Sequence, residues 1–144
     1  MALTIRQPTV DDAAAIAGLL DELGYPSPVD AVAQRLVRML GEPGQSVIVA
    51  LDAGQLIGLA TVIVRHVIVD DAPFARLAAL VVTEGQRGRG VGTALVTAAE
   101  GIARSAGCTL IEVTSGDRRP AAHDFYRRLG FTERPRRFVK RLGP

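Results

Sequence analysis

The sequence predicts a single-domain α/β fold, a mixed twisted sheet with helices packed on both faces. Three observations lead there. Stretches with apolar residues at helical spacing are interspersed with apolar runs bounded by turn residues. Their order along the chain is β-α-α-β-β-β-α-β-α-β-β. The length of 144 residues suits one domain, spanning 1–144, that buries a sizeable core without staples.

Ala2 to Gln7 reads as a short strand. Thr9-Val10-Asp11-Asp12 is a helix start, with Thr9 as N-cap and Asp12 as the acidic residue at the third position. Ala13, Ile16, Ala17, Leu20 and Leu23 then recur on one face until Gly24-Tyr25-Pro26 stops the helix. Ser27-Pro28-Val29-Asp30 starts a second helix, with Pro28 in its first turn and Val29, Val32, Ala33, Leu36 and Leu40 as its apolar face. Ser46 to Leu51 and Gln55 to Val69 flank Asp52-Ala53-Gly54 as a hairpin, and Arg76 to Val82 is the next strand. Gly90 to Ala106 is a helix with Val91, Leu95, Ala99 and Ile102 inward and Gly107 as its stop. A strand follows over Thr109 to Thr114, then a helix over Pro120 to Leu129 ended by Gly130. Phe131 to Arg134 and Arg136 to Leu142 read as two closing strands.

Composition narrows the function classes. Hydrophobic residues make up 48% of the chain, which argues against disorder. Cys108 is the sole cysteine, so no internal disulfide forms, and its place in an apolar run reads as a core thiol. The N-terminal stretch lacks a secretory pattern, because Asp11 and Asp12 interrupt it. The longest apolar run, Leu56 to Val64, is about half of a membrane span. A cytoplasmic protein without a membrane partner is expected.

The net charge of +2 is unevenly distributed. Residues 1–84 hold 5 Arg and 10 acidic residues, whereas residues 118–144 hold 9 basic and 2 acidic ones. A basic end points to an anionic partner. The basic residues are not interleaved with many aromatics and no nucleic-acid motif is present. Nucleic acid is one option, a small phosphorylated ligand fits as well, and no nucleic-acid partner is expected.

The most informative stretch is Leu80-Val81-Val82-Thr83-Glu84-Gly85-Gln86-Arg87-Gly88-Arg89-Gly90-Val91-Gly92-Thr93. An apolar strand runs into a glycine-rich turn and then a helix. Glycines let backbone N–H groups approach an anion, the helix start adds unpaired donors, and Arg87 and Arg89 add charge suited to phosphate. The P-loop pattern fails because no lysine follows the glycines. The dinucleotide pattern fails in spacing: from Gly88 its third glycine falls on Thr93, and from Gly90 on Leu95.

Arg87-Gly88-Arg89-Gly90-Val91-Gly92 instead resembles the cofactor motif of the GNAT N-acetyltransferase family, Arg/Gln-x-x-Gly-x-Gly/Ala. The opening Ile5 to Ala13 is similar to the family's first strand and helix start, and Phe125-Tyr126 followed by Leu129-Gly130-Phe131 is similar to its second hallmark. The resemblance implies the GNAT fold, acetyl-CoA as donor with coenzyme A as product, and a primary amine of a small molecule or peptide as acceptor. It implies that Arg87, Gly88, Arg89, Gly90, Val91, Gly92 and Thr93 hold the pyrophosphate. It implies too that Leu80, Val81 and Val82 hold pantetheine, with an N–H near Val82 on the thioester carbonyl. Tyr126 matches the family tyrosine that protonates the departing thiolate, as a phenol of ordinary pKa about 10 can. No metal is implied, and a homodimer is compatible with the reading.

Two positions depart from the family pattern. The strand that often carries a carboxylate base has Ala78 and Ala79 here, leaving His66, Asp70, Asp71, His123 or bulk water for that task. Arg119 stands where many members have Asn, and a cofactor contact is expected of it. The acidic balance of residues 1–84 suggests a cationic acceptor, placed between the two N-terminal helices and the loops around Tyr25 and Asp70. The missing carboxylate leaves open a different class, a non-catalytic acyl-CoA-binding or sensing domain on the same fold.

Overall fold

The computed structural model describes residues 1–114, 120–134 and 137–143. They fall into two compact units, Met1–Thr114 and Ser115–Pro144. The first holds β1 (Leu3–Arg6), a 3₁₀ turn (Val10–Asp12), α1 (Ala13–Leu23), α2 (Val29–Leu40), β2 (Gln45–Asp52), β3 (Gln55–Arg65), β4 (Phe74–Val82), α3 (Val91–Ser105) and β5 (Ile111–Val113). The second holds α4 (Pro120–Arg128).

The five strands lie in the order β1-β2-β3-β4-β5. The first four pair antiparallel, and β5 joins β4 in parallel. The β2–β3 hairpin pairs Asp52 with Gln55, leaving Ala53 and Gly54 as a two-residue turn with φ of 50° and 83°. Two positive φ values match a primed hairpin turn, whose twist suits the flanking strands.

Alternation along the strands gives the sheet two faces. Val47, Val49 and Leu51 of β2, Leu59 of β3 and Val81 of β4 pack with Ala13, Ile16, Ala17 and Leu19 of α1 and Val32 and Leu36 of α2. The opposite face meets α3, whose Val91, Leu95, Val96 and Ala99 are buried. A Cβ on Gly58 would lie 3.0 Å from Leu95 and 3.3 Å from Val91, so the missing side chain sets how closely α3 rests on β3. Helices therefore cover both faces, as the pattern predicts.

Helix ends follow local rules. Gly24, Gly107 and Gly130 have φ of 100°, 88° and 92°. The residue after each donates its N–H back into the helix: Tyr25 to Leu20 O, Cys108 to Ala103 O and Phe131 to Tyr126 O. This is the Schellman closure, which uses carbonyls the helix cannot satisfy itself. At the other end Thr9 caps the 3₁₀ turn, and Asp12 accepts the Thr9 N–H at 2.8 Å in a reciprocal capping box.

Several expectations need correction. The alternation through Val69 predicts a longer β3, but pairing ends with Arg65 opposite Phe74 on β4 and Ile63 opposite Gln45 on β2. Without neighbours to accept ladder bonds the chain leaves the sheet, and Ile68 and Val69 are exposed. Val29 lies on the exposed side of α2, and Pro28 is its N-cap. The described parts of the two closing strands, 131–134 and 137–142, form no strand, and Arg136 lies outside the described residues. Phe138, Val139 and Leu142 are exposed there, so the apolar pattern alone does not produce a ladder. Cys108 is buried as expected, and burial pushes its thiol pKa up. Among the described residues no helix is long and apolar enough to cross a membrane, and no three His, Cys, Asp or Glu residues cluster as metal ligands would.

The capping box makes a pH prediction. Arg6 grips Asp12 through both terminal nitrogens at 2.9 and 3.0 Å. This pair, helped by the Thr9 N–H, holds the Asp12 carboxyl below its ordinary pKa of 3.8, against a smaller opposing effect of burial. A depressed folded-state pKa contributes stability above the unfolded value and loses it as pH falls through the folded one. Asp12→Asn is expected to lower stability at pH 7, by no more than about 1 kcal/mol because solvent screens the exposed Arg6 partner. In urea unfolding followed by circular dichroism, the difference from the parent should close as pH drops below 3.8. A difference that persists unchanged to pH 2 contradicts a charge-based contribution.

Candidate active site

The site is built around the end of β4. Its register with β3 shifts between Thr61 opposite Ala79 and Val62 opposite Leu77, leaving Ala78 without a partner. Such a bulge changes which residues face each edge of the strand. Before it, Ala75 donates its N–H toward β5, to Leu110 O. After it, Thr83 donates toward β3, to Ile57 O. By alternation Val81 also faces β3, so Leu80 and Val82 direct their N–H and C=O groups to the edge away from β3.

Among the described residues that edge carries no strand beyond Leu77. β5 pairs with β4 only over Ala75 to Leu77, opposite Ile111 to Val113. Residues 78–82 have no strand on that side among the described residues. Leu80 and Val82 are partly buried, whereas Val81 is 6% exposed and packs with α1 and α2. Of the three residues expected to meet pantetheine, Leu80 and Val82 lie on the edge without a strand, Val82 with its carbonyl already accepting from Arg87 Nε, and Val81 is core.

The turn follows directly. Gln86 N–H closes onto Thr83 O at 3.1 Å. Gly85, Gly88 and Gly90 take φ of 88°, 76° and 86°, and Gly90 is the N-cap of α3. A residue with a side chain is strained in this region, so the two glycines nearest the helix let the chain reverse and still begin α3. A Cβ on Gly88 or Gly90 would meet nothing within 4 Å, so the glycines keep open the space outside the turn.

Gly90 O accepts from Ala94 N–H, the first helical bond of α3. The N–H groups of Gly88, Arg89, Gly90, Val91, Gly92 and Thr93 have no acceptor among the described residues. Gly90 has no side chain to cap them, and no acidic residue lies in the first turn. Unsatisfied donors and the positive end of the helix dipole form an anion site. Arg89 adds charge beside it and donates to Gln86 Oε1 at 2.6 Å.

Glu22, in the last turn of α1, was not singled out from the sequence. It accepts from Thr83 Oγ1 at 2.7 Å and Glu84 N–H at 2.8 Å, with an Arg87 terminal nitrogen at 4.0 Å. The Thr83 hydroxyl, then the Glu84 N–H and Arg87, lower the Glu22 pKa, with burial opposing. Arg87 also turns its Nε back to Val82 O at 3.0 Å. The signal was weak because these contacts join residues more than 60 positions apart.

The remaining expected groups are accounted for separately. Tyr126 lies on α4 in the second unit, edge-on to Phe125 and Phe131 with centroids 5.4 and 5.6 Å apart. Arg119 lies outside the described residues. His66, Asp70 and Asp71 are exposed, and Asp70 accepts the Ala72 N–H at 3.0 Å. Ala78 is exposed, and the neighbouring carboxylate, Glu112 on β5, is paired with Arg76.

A family model described as the Acetyltransferase (GNAT) family matches residues 15–131. The chain belongs to that family. It is 35% identical over 137 residues to the aminoglycoside N(6′)-acetyltransferase type 1 of Stenotrophomonas maltophilia, covering 92% of this chain and 88% of the relative. It is 29% identical over 143 residues to the aminoalkylphosphonate N-acetyltransferase of Salmonella typhimurium, covering 96% and 90%. A solved aminoglycoside N-acetyltransferase in complex with CoA has a TM-score of 0.87 at 25% identity, covering 97% of this chain and 94% of that one. This GNAT protein is an N-acetyltransferase that uses acetyl-CoA and acts on an amine. The alternative of a non-catalytic acyl-CoA-binding domain is not supported.

Gly90→Val tests the turn. It places a branched Cβ at φ 86° and fills the open space outside the turn. Calorimetry should show coenzyme A binding lost while circular dichroism shows the fold retained. Parent-like affinity in the folded variant would remove residues 87–93 as the cofactor site.

Proposed function

We propose that this protein acetylates a primary amine of a cationic small molecule of the aminoglycoside type, and that both units act as one catalytic domain over 1–144. The N–H groups from Gly88 to Thr93, without an acceptor among the described residues, carry the cofactor assignment. The family match running from residue 15 to 131 supports the single domain, since it crosses the boundary between the units. The activity of the Stenotrophomonas maltophilia relative and the excess of acidic residues in 1–84 support a cationic acceptor.

When bound, acetyl-CoA would supply an activated acetyl thioester for transfer to the neutral amine, with the thiol of coenzyme A as leaving group. The turn, Arg87 through Thr93, holds the diphosphate with backbone donors, and Arg87 and Arg89 supply the local positive charge. Leu80 offers its backbone groups to the pantetheine amides, and Val81 anchors the strand beneath them. The Val82 N–H is the donor for the thioester carbonyl oxygen, where negative charge develops. Tyr126 donates its phenolic proton to the departing sulfur. Arg119 contributes a cofactor contact. With alanine at 78 and 79, the amine proton leaves through water rather than to a carboxylate on β4.

Tyr126→Phe keeps the ring and deletes only the hydroxyl. A general acid acts in the transition state more than in the ground state, so coenzyme A affinity should change no more than a few-fold. Turnover in a thiol-release assay should fall by about 10²-fold. Equal turnover for variant and parent would give the proton to water and remove the role of Tyr126.

A panel of amines tests the acceptor class. Aminoglycosides and polyamines should be the best substrates, and added salt should raise their KM by screening. A preference for neutral or acidic amines with no salt effect would overturn the cationic acceptor and leave the acetyltransferase activity standing.

A further inference from the structure

We propose that Glu22 is a positioning residue for the donor side of the reaction: it fastens the end of β4 to α1 and so presets the pyrophosphate turn before the cofactor arrives. This rests on the assignment of residues 87–93 as the diphosphate site. Glu22 receives bonds from a side chain and a backbone N–H on consecutive residues, Thr83 and Glu84, where the strand becomes the turn. Two acceptor oxygens are used at once, Oε2 by Thr83 and Oε1 by Glu84. A two-point grip fixes direction as well as distance.

Its location argues for a purpose beyond helix stability. A carboxylate in the last turn of a helix faces the negative end of the dipole, and α1 has no basic residue in that turn to offset it. The partners that compensate Glu22 all come from the segment leading into the diphosphate site. Arg87 completes the latch. With Nε on Val82 O and a terminal nitrogen directed at Glu22, its guanidinium ties both ends of the 82–87 segment together. Arg87 thus shapes the turn, while Arg89 is held on Gln86.

The latch spans α1 and the turn, so losing it should loosen the turn without touching the acetyl group or the amine. Glu22→Gln keeps the length of the side chain and removes its charge and one of its two acceptors. With a primary amine that the parent acetylates, KM for acetyl-CoA should rise about tenfold while kcat stays within twofold, as expected for lost uniform binding. Calorimetry should show a matching loss of coenzyme A affinity. Thr83→Val removes the same contact from the other side, and the double variant should lose no more affinity than the worse single one. Thr83→Val also reports on the latch if Glu22→Gln does not fold. An unchanged KM for acetyl-CoA, a fall confined to kcat, or additive losses in the double variant would overturn the positioning role. Gly90→Val separates the two levels. If it loses coenzyme A and Glu22→Gln does not, the latch fails alone; if Gly90→Val binds normally, the turn assignment fails first.

Discussion

Every α-helix begins with N–H groups that its own turns cannot satisfy. Most helices answer with a side-chain cap, as Thr9 and Asp12 do at the first turn of this protein. At α3 the N-cap is Gly90, the first turn has no carboxylate, and the preceding residues add further unpaired N–H groups. Bringing that many donors together without an acceptor among the described residues disfavours the free turn, an imbalance that the proposed anion would reverse. The glycines that permit the left-handed backbone and the arginines that add charge all serve this one arrangement.

The sheet supplies the second requirement, which is a stable base for the turn. α3 lies on β3 at a distance set by Gly58, so the helix start cannot drift from the strand end. The bulge at Ala78 rotates the last residues of β4 so that Leu80 and Val82 face the edge β5 has left. A free strand edge is usually an association hazard. Here it is short and ends directly at the glycine-rich turn, in keeping with the proposed placement of an extended amide-bearing arm attached to a diphosphate. Glu22 and Arg87 close the structure from the α1 side.

Much of this was legible in the sequence, and the reason is locality. Glycine stops, the capping box, the hairpin turn and the glycine-rich turn depend on residues a few positions apart, and each was found where expected. Helical spacing correctly marked Ala13, Ile16, Ala17 and Leu95 as buried, because one face of a helix must meet the sheet. What the sequence could not reveal depends on distant partners. Glu22 meets Thr83 across 61 positions, and the bulge exists only as a mismatch between two strands. The end of β3 after Arg65 and the absence of strands in the described residues after 130 have the same origin. Apolar alternation marks strand potential, and only a neighbour makes a strand.

The claim that exposed backbone donors bind the diphosphate is tested most directly by amide NMR. Isotope-labelled protein would be titrated with coenzyme A and, separately, with pantetheine, which lacks the diphosphate. The largest coenzyme A shifts should fall on the N–H groups of Gly88 to Thr93, and pantetheine should leave those groups unmoved while shifting Leu80 and Val82. Saturation with coenzyme A that leaves the Gly88 to Thr93 amides in place would contradict the account.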